Sequence, residues 1–248
     1  MGVASMILGA LGYELKRIRS EPPPLYQPLY SPWLDQEGEF GAYYRIARPR
    51  TLVSADRCYV LYRLLLQALA VEGDVWECGV YQGGTAAMMA AILGDRAVKK
   101  QGTPAKTLYL FDTFEGMPET DAAADLHAKG DFADTSVEAV ARYVGHADLC
   151  EIKKGFIPQT FAGLESARIA LAHVDVDIYR SVKDCLDFIW PRLAHGGFIV
   201  CDDYGFPSCP GARAAVDEFF AGKTAFPLCL PTGQALVFKG EARQGVPS

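Results

Sequence analysis

No apolar run in the 248 residues approaches the roughly 18 needed to cross a bilayer, so no membrane-spanning helix is expected. Basic clusters are missing too. "VKK" and "IKK" are single pairs and the formal net charge is −6, which argues against a nucleic-acid backbone as partner. Cysteine is present without a pattern. Cys58, Cys78, Cys150, Cys185, Cys201, Cys209 and Cys229 form an odd set with no C-x-x-C spacing and mostly apolar neighbours. That argues against zinc and against a disulfide framework, and predicts reduced, buried thiols in a cytoplasmic protein. Histidine is scarce. His127, His146 and His195 have no partner at metal-ligand spacing and read as loop or helix-end residues, while His173 reads as a satisfied core histidine.

The opening "MGVASMILGALGYELKRIRS" places its apolar run before its basic cluster, the reverse of a secretory signal. Met6 stands where a myristoylation motif requires Ser or Thr. An amphipathic helix packed on the body or on a second subunit is expected, with a membrane-surface anchor as the minority reading. Residues 21–35, "EPPPLYQPLYSPWLD", carry five prolines among aromatics and read as an extended arm. Helix and arm together suit a homodimer. The expected organisation is this extension over 1–50 and one catalytic domain over 51–248.

Half of the residues are hydrophobic and 22% are charged, the balance of a globular enzyme or binding protein rather than of a disordered chain. "ADRCYVLYRLLLQALA" has helical spacing from residue 55, with Ser54 placed as an N-cap. Short β-rich runs follow at 74–80, 107–112, 148–155, 167–177 and 196–203, separated by helical stretches near 84–94, 135–144, 158–164, 180–193 and 211–221. That alternation predicts right-handed βαβ units and a parallel sheet covered on both faces. "AFPLCLP" and "QALVFKG", joined by "TG" with no helix between them, predict a closing antiparallel hairpin.

Ligands of such sheets bind beyond the carboxyl ends of the strands. The first strand delivers "ECGVYQGGTAA", with Glu77, Gly79, Gly83, Gly84 and Thr85; glycines between a strand and a helix let a ligand approach backbone N–H groups. The loop is neither a G-x-G-x-x-G nor a P-loop. The second strand ends in Asp112, about 30 positions beyond that loop, where a carboxylate would hold a ribose diol. The polar segment 115–135 has the length of a lid or binding loop. The fourth and fifth strands deliver "HVDVDIY" and "CDDYG". Asp175, Asp177, Asp202 and Asp203 would therefore meet at one rim, with Asp175 and Asp177 on one face of their strand by alternation. So many carboxylates repel unless a positive charge lies among them, and a hard divalent cation, most simply Mg²⁺, answers that need.

"VWECGVYQGGTAAMM", "LYLFDTFEGMP", "HVDVDIYRSVKDCLDFIWPRL" and "GGFIVCDDYG…GARAAVDEFF" stand in this order, and with them the chain resembles the sugar O-methyltransferases of the macrocin and mycinamicin type from about residue 50 to residue 221. The resemblance implies a class I S-adenosylmethionine-dependent methyltransferase fold, seven-stranded, mostly parallel and Rossmann-like. It also implies S-adenosylmethionine as donor, and Mg²⁺-dependent methylation of a hydroxyl on a deoxysugar or related glycoside. It assigns Asp175, Asp202 and Asp203 as metal ligands and places the Glu77–Gly84 loop, with Val80 and Tyr81, beside the methionine moiety of the donor, where Asp175 and Thr85 also lie. Asp112 and Thr113 fall at the ribose, and Asp131 and Phe132 near the adenine. Relatives with catechol-type acceptors commonly carry a lysine three residues after the first metal-binding Asp; Ile178 stands there, so a carboxylate, Asp175 or Asp177, would take the proton. A phenolic acceptor and, in another class, a metal-dependent hydrolase using the Asp cluster remain alternatives.

Overall fold

The sheet is built as the strand pattern predicts. The computed structural model describes residues 30–99 and 106–240, so the helix expected over residues 1–20 and the arm as far as residue 29 lie outside the described residues. Seven strands, β1 (Asp74–Cys78), β2 (Leu108–Asp112), β3 (Cys150–Lys154), β4 (Ile169–Val174), β5 (Leu193–Cys201), β6 (Leu228–Cys229) and β7 (Ala235–Phe238), lie in the order β3-β2-β1-β4-β5-β7-β6. The first five pair in parallel; β7 pairs antiparallel with both β5 and β6. The predicted hairpin is present, with its later strand inserted next to β5.

Central strands covered on both sides carry near-continuous apolar runs, and β4, "IALAHV", is buried at every residue. Side-chain alternation divides the core. Val75, Leu110, Leu171 and Val200 face one apolar layer, built with α1 (Glu39–Ala47), α2 (Ala55–Ala68), α3 (Gly84–Lys99) and α4 (Val137–Val144). Trp76, Phe111, Ala172 and Ile199 face the other, beneath α5 (Tyr179–Arg192) and α6 (Pro210–Phe220). At one edge, β3 carries Glu151, Lys153 and Lys154, charges that discourage pairing with another chain.

Three details differ from expectation. Residues 158–164 form only a 3₁₀ turn at Gln159–Phe161, because Ala162 turns to ψ 132 and leaves the helical path, with Gly163 following at φ +85. Ser54 occupies the N-cap position of α2, but its hydroxyl binds the Asp56 carboxylate and accepts from Arg57 Nε (3.2 Å) instead of capping a backbone N–H. Helix α1 has no counterpart in the strand-and-helix pattern; Phe40 packs edge-on to Tyr59 of α2 at 5.1 Å between ring centroids.

Trp76 centres the second layer, with Phe111, Phe161 and Phe188 around it, and its buried indole N–H has no partner among the described residues. Two opposed terms are therefore separable by mutation. Trp76→Ala should cost about 3–5 kcal/mol through the cavity it leaves. Trp76→Phe should cost much less, since it keeps most of the ring and removes an unpaired donor whose burial costs about 1–3 kcal/mol. Urea unfolding of the two variants measures the gap.

Candidate functional site

The carboxyl ends of β1, β2, β4 and β5 open into one cleft, lined by Gly79, Val80, Tyr81, Thr85, Asp112, Thr113, Phe132, Asp175, Asp177 and Asp203 among the residues the sequence pattern singles out. Gly79 is required by its neighbour: at φ +88, an added Cβ would stand 1.7 Å from the Asp175 carbonyl oxygen. Glu77, Gly83, Gly84, Asp131 and Asp202 do not line the cleft. Gly84 is instead a packing glycine, whose added Cβ would lie 2.6–2.7 Å from the backbone of Ala47 and Arg50.

Asp112 braces the loop it faces. Its Oδ2 accepts the N–H groups of Val80 (2.7 Å) and Tyr81 (2.8 Å), and its Oδ1 accepts that of Phe114 (2.7 Å). Thr113 Oγ1 also lies 3.5 Å from Oδ1, but its single proton is better placed on the Gly116 carbonyl at 2.6 Å, so of the roughly four acceptor positions of the carboxylate one on Oδ1 can still take a donor from the cleft. Tyr81, Phe114, Phe132 and Asp177 all hold positive φ, concentrating unfavourable backbone around this one opening.

The acidic rim is less symmetrical than the sequence suggests. Strand β4 ends at Val174, so alternation does not carry on to Asp177, whose backbone has turned to φ +56. Asp202 and Asp203 are neighbours just past β5 and diverge. Asp202 is fully buried on the α2 side. Its Oδ2 pairs with Arg57, while its Oδ1 accepts from Gln234 Nε2 (2.7 Å) and lies 3.4 Å from His173 Nε2. His173 Nδ1 in turn lies 3.0 Å from Glu77 Oε1, so the core histidine bridges two buried carboxylates. Asp203 turns the other way and accepts the Asp177 N–H at 2.9 Å. The donor atoms of His173, Asp175 and Asp202 come within 4.8 Å of one another; Asp203 is outside that group.

Charge balance differs accordingly. Burial raises the carboxyls of Asp175 and Asp203 well above the usual range, and neighbouring carboxylates add to it. Burial also raises Asp177, against the lowering influence of His127. Burial works in the same sense on Asp202, but the bond and charge of His173, followed by Arg57, outweigh it and hold that carboxyl below its ordinary value. For His173, burial disfavours the cation, yet bonds to Asp202 and Glu77 carry its pKa well above 6.5.

The segment after β2 folds over the cleft. The Met117 N–H donates to the Asp131 carbonyl (2.8 Å) and the Gly130 N–H to the Met117 carbonyl (3.0 Å), closing its base. Asp125, buried, accepts the first N–H of α5 from Tyr179 (2.8 Å). His127 reaches Asp177 and Cys209. Sequence patterning misses Arg57, Gln234, His127 and Cys209 as site residues. Arg57 stands 145 positions from Asp202, and no local spacing reports such a pair. Only the unmatched charge of the acidic rim signals that some cation must lie near.

A family model described as "Macrocin-O-methyltransferase (TylF)" matches residues 50–225. The chain is 34% identical over 160 residues to the 8-demethyl-8-(2,3-dimethoxy-alpha-L-rhamnosyl)-tetracenomycin-C 4'-O-methyltransferase of Streptomyces olivaceus, covering 60% of this chain and 58% of that protein. It is 31% identical over 184 residues to the Mycinamicin III 3''-O-methyltransferase of Micromonospora griseorubida, covering 68% and 69%. The match thus spans less than two thirds of the first relative's length. Among solved structures, the O-methyltransferase NovP superposes with a TM-score of 0.68 at 25% identity, covering 77% of this chain and 83% of that one.

Asp175→Asn tests the uncompensated charge. A carboxyl whose folded pKa is raised costs stability progressively as pH rises above its unfolded value near 3.8, the penalty being complete above the folded value and absent in acid. In chelator-treated protein the neutral variant should therefore melt higher at neutral pH, by about 2–4 °C for each kcal/mol relieved, and the gain should disappear in acid. Thermal melts across a pH series measure it.

Proposed function

Since the chain belongs to the macrocin-O-methyltransferase family, we propose that it transfers a methyl group from S-adenosylmethionine to a hydroxyl of a sugar or deoxysugar in a glycoside, assisted by Mg²⁺. The observation that carries this reading is the cleft itself, which joins an apolar wall, a carboxylate with a spare acceptor position and a buried acidic rim. The relative from Streptomyces olivaceus is named for 4'-O-methylation of a rhamnosyl-bearing compound, which favours a sugar over a phenol as acceptor.

The residues present suit the donor. Tyr81, Met117, Phe132 and Ile157 offer apolar surface for a base, and the Asp112 Oδ1 position can accept a ribose hydroxyl. Gly79, Val80 and Thr85 would border the methionine portion. When bound, the donor supplies an electrophilic methyl group.

Mg²⁺ would draw on the all-oxygen set of Asp175, Asp202 and Asp203; burial favours the neutral form of the first and last, and a bound cation would favour their ionised form. Asp202 would join after exchanging its Arg57 partner. Bound there, the ion would supply positive charge against the developing negative charge on the acceptor oxygen.

Asp177 is the proposed proton acceptor. Its Oδ1 is engaged by Cys209 Sγ, and the residue lines the cleft. Burial makes it a stronger base than an exposed carboxylate. The acceptor hydroxyl would give its proton to the Asp177 carboxylate, and the bound donor would supply the methyl group and keep the sulfur as leaving group. Asp175 and Asp177, separated by one residue, thus take different tasks, charge matching and proton removal.

Calorimetric titration of S-adenosylhomocysteine should give micromolar binding with Mg²⁺ and with chelator; no binding in either condition would overturn the methyl-transfer reading. Asp177→Asn should lower kcat with a rhamnosyl acceptor by about 10²–10⁴-fold while leaving that affinity unchanged. Undiminished turnover in chelator would remove the metal from the proposal.

A further inference from the structure

Three donors of unlike chemistry converge on the cleft wall beside the acidic rim. Cys209 Sγ lies 3.4 Å from Asp177 Oδ1, and His127 Nε2 lies 3.7 Å from that oxygen and 3.7 Å from Cys209 Sγ. Ligands bound at about 2.0–2.3 Å around a tetrahedral zinc ion stand about 3.3–3.8 Å apart. All three edges of the triangle fall in that range. Each donor comes from a different element: the segment after β2, the turn after β4, and the residue preceding α6.

The histidine is also presented as metal-bound histidines are. Its other nitrogen, Nδ1, lies 3.3 Å from Asp131 Oδ2, an oxygen that also accepts the Ala128 N–H at 2.9 Å. A carboxylate behind an imidazole fixes the tautomer and raises the basicity of the nitrogen facing the metal. His127, Asp177 and Cys209 all line the cleft, so an ion held by them would lie at its wall.

We propose that His127, Asp177 and Cys209 form a second cation site, distinct from the oxygen-only rim of Asp175, Asp202 and Asp203, that takes Zn²⁺ or a similar borderline-soft divalent metal with one exchangeable position. Nitrogen and sulfur donors select such ions over Mg²⁺. Binding releases the Cys209 thiol proton to solvent and leaves a thiolate ligand. Occupancy pins the segment carrying His127 to the rim of the sheet. The site stands whether or not the chain transfers methyl groups.

Cobalt(II) titration of the chelator-stripped full chain tests this. One equivalent should give a thiolate-to-cobalt charge-transfer band with intense tetrahedral d–d bands, and Zn²⁺ should displace it. Cys209→Ser should abolish the charge-transfer band, and Asp131→Asn should weaken cobalt binding about 10–100-fold. Asp175→Asn, in the other cluster, and Cys229→Ser, at an exposed thiol, should leave the band intact. Circular dichroism confirms that each variant is folded. A wild-type protein with no such band, as a merely hydrogen-bonded triad would give, overturns the proposal, and so does a band that survives Cys209→Ser.

Discussion

The chain of buried charges from Glu77 through His173 to Asp202 and Arg57 is the constraint on which the rest of the molecule depends. Its first three members come from β1, β4 and the end of β5, and all three are fully buried. Glu77 and His173 sit opposite one another in the parallel register. Slipping either strand by one residue would turn one of them to the opposite face and strand the other's charge in apolar core. Ion pairs of this kind add little net stability, but losing one partner is severely destabilising. Strand register at the centre of the sheet is thus tied to a network that can be satisfied in only one alignment.

Two consequences meet at the end of β4. On the α2 side, Asp202 is matched by Arg57, Gln234 and His173. On the α5–α6 side, Asp203 and Asp177 are matched by a backbone N–H, a thiol and an imidazole, none of them a permanent positive charge. Asp175 lies between. Adjacent residues diverging from one strand end therefore place a carboxylate matched by permanent charge on one side of the sheet and carboxylates without such a match on the other, and the proposed proton acceptor belongs to the second group.

Much of this was legible in the residues. β-rich runs alternating with helical spacing marked the five parallel strands, and the absence of a helix between the last two apolar runs marked the hairpin. Asp112 and the acidic rim stood out because strand ends are where such sheets bind ligands. What stayed hidden depends on distance along the chain. That β7 inserts beside β5, that Arg57 reaches Asp202, and that His127 and Cys209 share Asp177 are contacts between separated segments, and local periodicity carries no trace of them. Gly83 and Gly84 show the converse: spacing suggested ligand approach, whereas Gly84 makes room for the backbone of Ala47–Arg50. Cysteine spacing weighs sequence neighbours only, so the approach of Cys209 to His127 and Asp177 left no mark in it.

Gln234, one residue before β7, donates to Asp202, and β7 itself lies against β5. During synthesis, the parallel strands emerge from the ribosome with Asp202 still lacking its amide partner and with one flank of β5 unpaired. The acidic rim is therefore a late-maturing part of the molecule. A chain without β7 would leave the β5 edge unpaired beside a carboxylate lacking its amide donor, so the C-terminal hairpin completes the sheet and the acidic rim together.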